Sequence, residues 1–182
     1  MKTDTSRQFE QAMSICKEVF LNKMKDYGSS WRILRTPSLT DQIYIKANRI
    51  RSIEQKGIQK IDEGVKPEFI GIVNYSVIAL IQLELGEYNG LELDKAETEK
   101  LYDKHIHGAR DLMENKNHDY DEAWRNMRVS SYTDIILMKL MRIKQIEDRE
   151  GETLVSEGVD ANYRDIINYA LFALIKIDEN TR

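Results

Sequence analysis

Four carboxylates near the end of the chain have the types and spacing that an all-oxygen metal site requires. Glu147 and Glu150 stand three residues apart and share one face of a helix. Glu157 follows after a short connection, and Asp165 lies in the first turns of the next helix. Where two antiparallel helices meet, such acids hold Mg²⁺, which prefers a few carboxylates together with water and substrate phosphates. Charged helix ends also simply face water, and both readings stand at this point.

Basic, amide and aromatic side chains accompany the acids. Lys139 and Arg142 are three apart, beside an apolar stripe, where two like charges need an anionic partner. Nearby carboxylates meet that need, and so does a phosphate. Asn168 lies inside a strongly apolar helix, and a buried amide without partners costs about 1–3 kcal/mol. It either clamps two helices together or faces a ligand. Asp119, Tyr120 and Trp124, followed by Arg125 and Arg128, place an aromatic face beside cations, suited to stacking a base or to plugging a junction in the core.

These residues recur within the chain. Asp119-Tyr120, Trp124, Arg125 and Arg128 repeat Asp26-Tyr27, Trp31, Arg32 and Arg35 at an offset of 93. Lys139 and Arg142 repeat Lys46 and Arg49 at the same offset. After one inserted residue the offset becomes 94, and Glu157-Gly158, Asn168-Tyr169 and Ala173-Leu174-Ile175 repeat Glu63-Gly64, Asn74-Tyr75 and Ala79-Leu80-Ile81. The chain is an internal duplication. The acids are less well kept: Gly57 and Gly71 stand where the second copy has Glu150 and Asp165, and Asn162 stands where the first has Glu68.

The elements that must position these groups are helical. Phe9, Ala12, Met13, Cys16, Val19 and Phe20 form a helical stripe, predicting a helix over 6–24. Helices follow over about 40–56, 68–85, 95–116, 133–150 and 160–178. Gly28, Gly57 and Gly86 serve as stops, and Asp94 as a cap. Ser38-Leu-Thr-Asp41 and Ser131-Tyr-Thr-Asp134 match a helix-opening pattern, with a loop over 29–38 before the first. The helices over 68–85 and 160–178 are apolar on nearly all sides and are therefore buried. The expected fold is all-α: two tandem three-helix repeats, residues 1–88 and 89–182, packed as an intramolecular pseudo-twofold bundle.

Composition bounds the function classes. The 182 residues are 41% hydrophobic and 32% charged, with a net charge of −4, so there is no global basic field for nucleic acid. The longest apolar run is far below the ~20 residues of a membrane helix, and no signal peptide opens the chain. A cytoplasmic location without membrane partners is expected, with homo-oligomerisation left open. The single Cys16 falls in an apolar register and reads as an inert buried thiol. His105 and His107 point to different sides of their helix, His118 falls in a turn, and no nucleophilic triad or Gly-rich phosphate loop is present.

Two resemblances follow. Lys116, Asp119-Tyr120, Trp124, Lys139, Arg142-Ile143, Glu157-Gly158 and Asp165-Ile-Ile-Asn168-Tyr169 resemble the small all-α domain called nucleotide modification associated domain type 1, twice along the chain. That implies an association with nucleotide metabolism or modification. Glu147, Glu150 and Asp165, ahead of a Tyr-containing apolar helix, are similar to the acids of MazG-like nucleoside triphosphate pyrophosphohydrolases. That second resemblance implies Mg²⁺ on Glu147, Glu150 and Asp165, with water attacking the α–β phosphate linkage; Glu157, close by in sequence, is a further candidate metal ligand. Lys139 and Arg142 would then neutralise the triphosphate. The competing expectation is a non-catalytic helical module for protein interaction or nucleotide sensing.

Overall fold

The two apolar helices lie at the centre of the molecule. In the computed structural model, which describes residues 4–57, 64–152 and 157–181, the helices are α1 Asp4–Tyr27, α2 Thr36–Lys56, α3 Lys66–Leu85, α4 Lys95–Tyr120, α5 Val129–Asp148 and α6 Val159–Asn180. No strand occurs among the described residues. α3 and α6 pack on each other, burying Ile72, Val73, Val77 and Ile81 from one and Ile166, Ile167, Ala170 and Leu174 from the other. α2 covers α3, α5 covers α6, and α2 and α5 also meet. α1 and α4 lie outside, each against both central helices. Exchanging the two repeats reproduces this set of neighbours, as a pseudo-twofold arrangement demands.

By length and composition alone α3 would reach across a bilayer, but most of its apolar window is packed inside the protein. Its thirteen buried residues explain that composition without a membrane.

Local sequence sets the helix ends. Gly57 closes α2 at φ 64°, a left-handed conformation that glycine adopts without steric cost. Asp94 caps α4, its carboxylate accepting from the Glu97 N–H at 2.7 Å. The opening expected at Ser38 and Ser131 lies elsewhere: α2 starts at Thr36 and α5 at Val129, after Arg35 and Arg128 in extended backbone without a side-chain cap. Pro37 is compatible with the start of α2, although α5 starts at the equivalent position with Ser130 in its place. The proline belongs to the first helical turn, where its fixed φ is pre-organised and its missing N–H is not needed. The loop ahead of it contains a 3-10 turn, Ser30–Ile33, with the counterpart Ala123–Asn126 in the second repeat.

Each 3-10 turn carries a tryptophan and is held to the end of a central helix in the same way. Gln82 on α3 donates to the carbonyls of Arg32 at 2.9 Å and Leu34 at 2.6 Å. Lys176, its counterpart on α6, donates to the carbonyls of Arg125 at 2.8 Å and of Met127. An amide and an ammonium thus satisfy equivalent acceptors. The guanidiniums then separate. Arg32 is buried and donates to Gln82 and to the Gly86 carbonyl, whereas Arg125 turns outward to Glu122 and Glu179.

Candidate functional site

The positions singled out in the second repeat have counterparts that line a cavity in the first. Lys46, Tyr27, Trp31 and Asn74 are the repeat mates of Lys139, Tyr120, Trp124 and Asn168, and all four border a cavity of about 620 Å³. That volume lies within the range of small-molecule sites. The cavity is bounded by the C-terminal half of α1, the 3-10 turn, Lys46 of α2 and the outer side of α3. Its walls are mostly apolar, from Phe20, Met24, Leu34, Ile70 and Ile78. Lys23 and Lys46 supply cationic ends, and no Asp or Glu occurs among the lining residues.

On α3 the small Gly71 makes room for the Lys46 stem, and Ile78 is smaller than its mate Phe172. Gly71 has no side chain, and the Lys46 stem lies across it so closely that an added Cβ would stand 2.8 Å from Lys46 Cδ. The Lys46 ammonium is 3.6 Å from Glu68, a carboxylate already engaged by Arg49, and 5.7 Å from the Tyr75 ring. Lys23 is exposed and has no ion-pair partner among the described residues.

In the second repeat the same positions are filled. Asp165 stands in place of Gly71, and its two oxygens accept from Lys116 at 2.8 Å and Lys139 at 2.9 Å. Phe172 replaces Ile78, and Trp124 stacks on it at 4.4 Å with the planes 11° apart. Trp124 is consequently buried, whereas Trp31 is only partly buried. The Arg125 guanidinium covers the outer face of Trp124 at 4.5 Å.

The two asparagines clamp helices. Asn74 donates to the Cys16 carbonyl at 3.0 Å and accepts from the Tyr102 hydroxyl at 2.7 Å. Asn168 repeats the first bond, to the Ala109 carbonyl at 2.9 Å. Its Oδ1 has no partner, because Phe9 occupies the position equivalent to Tyr102. Cys16, beside the first clamp, is fully buried, and burial pushes its thiol up to about 12.

The four acids are distributed over separate surroundings. Burial pushes the Asp165 carboxyl up, but the bonds from Lys116 and Lys139 outweigh it and hold the group below the ordinary aspartate value. Glu147 accepts from Thr40 across the repeat boundary at 2.7 Å, and burial pushes its carboxyl up. Glu150 is exposed in the turn after α5, at φ 55°, and Glu157 is exposed before α6. Among the described residues no group of three or more His, Cys, Asp or Glu side chains is placed to hold a metal ion. With both Asp165 oxygens taken by ammonium groups and Glu147 bound to hydroxyls, these side chains do not fit a shared Mg²⁺.

The remaining predicted positions lie outside the cavity. Arg142 is exposed without an ion-pair partner among the described residues, since its first-repeat mate Arg49 pairs with Glu68 and Asn162 replaces that acid. Asn162 instead donates to the Gly158 carbonyl at the start of α6. Tyr120 is exposed, and Asp119 is exposed beside His118. Lys23 and Gly71 were not among the predicted site residues. Their signal lay in the repeat: Lys23 matches Lys116 at offset 93, and Gly71 opposes an acid that would otherwise sit between those lysines.

No curated protein and no solved structure matches the chain. A family model does match, over two segments that together make up more than half of the chain, residues 23–83 and 116–177. They begin at Lys23 and Lys116 and end within the last turn of the central helix of each repeat. The chain belongs to the family of nucleotide modification associated domain 1 and carries that domain twice.

Proposed function

We propose that this protein binds a nucleotide in the first-repeat cavity. The base lies against Trp31 and the apolar wall of α3, and the phosphate end meets Lys23 and Lys46. The observation that carries this reading is the pairing of a mostly apolar cavity, lined by the partly buried Trp31, with two lysines and no lining carboxylate. Aromatic stacking contributes about 1–3 kcal/mol per base. A charge-assisted hydrogen bond adds about 1.5–3 kcal/mol. The family description, with its nucleotide association, supports the same ligand class.

The site favours binding over hydrolysis of a triphosphate. A MazG-like pyrophosphohydrolase places clustered acids around Mg²⁺, whereas the acids described here are engaged by lysines and hydroxyls or stand in solvent. Calorimetric titration with nucleosides and their mono- and triphosphates, with and without Mg²⁺, tests the proposal. At least one nucleotide should bind, and Lys46→Ala should weaken it about tenfold or more. Parallel assay of pyrophosphate release distinguishes turnover from binding. If no nucleotide binds, the reading falls and a helical interaction module takes its place.

A further inference from the structure

We infer that Asp165 is a built-in stand-in for the ligand's anionic group, and that the group it imitates in the first repeat is the phosphomonoester of a nucleoside monophosphate. The inference rests on the nucleotide reading and adds to it the ligand's phosphorylation state and the point at which its phosphate is held.

The pseudo-twofold relationship carries the first half. Lys116 and Lys139 are the mates of Lys23 and Lys46, and in the second repeat both ammonium groups converge on one carboxylate, at 2.8 and 2.9 Å. That carboxylate arises from position 165, whose mate is Gly71. The first repeat therefore keeps both cations and lacks the anion they surround in its twin. Lys46 finds only a shared carboxylate at 3.6 Å, and its stem lies on Gly71, in the space an acid would take. Lys23 has no ion-pair partner among the described residues. An anion over Gly71 would take the place of the Lys46 stem, which has to swing aside, and would then meet the two lysines as Asp165 meets theirs in the second repeat.

Charge sets the second half. A phosphomonoester carries about −1.5 to −2 at neutral pH, matching two ammonium groups. A triphosphate carries roughly twice that, more than the two lysines of the lining match, and it is longer than the single anion position that Asp165 marks. The closure of the second repeat completes the picture. Asp165 fills the anion position, and Trp124 stacks on Phe172 where a base would lie in the first repeat against Ile78.

The test uses the full chain and calorimetry with a panel of nucleoside monophosphates, the parent nucleosides and the triphosphates. The tightest ligand should be a monophosphate, at least tenfold tighter than its own nucleoside and its own triphosphate. Gly71→Asp should weaken that monophosphate more than tenfold while the protein melts at or above the parent temperature. Gly71→Asn, similar in size and neutral, should weaken it less than the acid does. Asp165→Gly combined with Phe172→Ile should open the second repeat, raising the stoichiometry from one towards two. If that double variant fails to fold, the two Gly71 variants decide alone. Equal loss with Asp and Asn, or full affinity with Asp, overturns the inference while leaving nucleotide binding standing. So does tighter binding of the nucleoside or triphosphate. Failure of the parent to bind any nucleotide removes both readings.

Discussion

The Thr133 hydroxyl donates to Glu54 at 2.6 Å across the boundary between the repeats. Its pseudo-twofold mate does the same, Thr40 to Glu147 at 2.7 Å. The second bond is extended: the Tyr163 hydroxyl lies 2.6 Å from the Thr40 hydroxyl and also donates to Glu147 at 3.4 Å, so the three side chains form one network. Phe69 stands in the place of Tyr163 in the first repeat and adds no such link. These hydroxyls join α2 to α6 and α5 to α2, fixing how the two halves meet.

Burial raises the carboxyls of Glu54 and Glu147, and the threonine bonds oppose that rise. For a raised acid, the stabilising contribution is complete below the ordinary glutamate value of 4.5 and is lost as pH climbs through the higher folded value. Thr133→Val withdraws the bond to the charged form. It should cost about 1–3 kcal/mol at neutral pH and less at pH 4, where Glu54 is protonated. Thr40→Val should cost more, because it also removes the closer of the two partners of the Tyr163 hydroxyl. Urea unfolding at the two pH values measures both, and equal costs at pH 4 and pH 7 would contradict the assignment.

Asp165 gives the opposite acid limb. Its carboxyl is held low in the fold, so its contribution is present above the ordinary value of 3.8 and is lost as pH falls through the lower folded value. Burial pulls the Lys116 ammonium down, but its bond to the Asp165 carboxylate outweighs that and raises it, so the contribution of the pair on the alkaline side persists to 10.5 and is lost above it. Asp165→Asn should cost about 2 kcal/mol near pH 7, below the figure for a fully buried pair because Lys116 is half-exposed. It should also flatten the loss of stability below pH 3.8. An unchanged acid limb in a pH series of denaturation midpoints would show that the pair is not coupled to folding.

The asparagine clamps differ by one hydroxyl, and the difference is measurable. Tyr102→Phe should leave the Asn74 Oδ1 without its donor, as Asn168 Oδ1 already is, and cost about 1–3 kcal/mol. The reciprocal Phe9→Tyr introduces a donor at the mate position and should recover about 1 kcal/mol, seen as a higher melting temperature. A neutral result for Tyr102→Phe would mean that water or a shifted amide replaces the lost bond.

The duplication, six helices and central place of two of them were legible in the sequence, because offset identities and 3.6-residue periodicity survive in one chain. The helix starts were less so: Ser38 and Ser131 match an opening pattern, but α2 and α5 begin two residues earlier, after Arg35 and Arg128 with no side-chain cap. For the cavity, the right positions were legible but not the copy that uses them. Lys139, Trp124, Tyr120 and Asn168 stood out as retained, yet what sets their mates apart is an absence, Gly71 in place of Asp165. Counting acids read that glycine as a lost ligand, whereas in the fold it lets the Lys46 stem lie against α3 where its mate meets a carboxylate. The carboxylates Glu147 and Asp165 read as neighbours along α5 and α6, but each had a partner already, one a threonine from the other repeat and the other a pair of lysines.

The two tryptophans should report on this difference directly. Trp124 is enclosed between Phe172 at 4.4 Å and Arg125 at 4.5 Å, so a ligand in the first repeat cannot reach it. Trp31 lines the cavity and is only partly buried, so a stacked base should quench or shift its emission. Trp124→Phe should therefore retain the ligand-induced change, and Trp31→Phe should abolish it. Trp31→Phe should also weaken binding by roughly tenfold, the lower end of what a lost stacking platform costs. A signal that persists in Trp31→Phe and disappears in Trp124→Phe would place the ligand in the second repeat, against the filled arrangement of Asp165, Trp124 and Phe172.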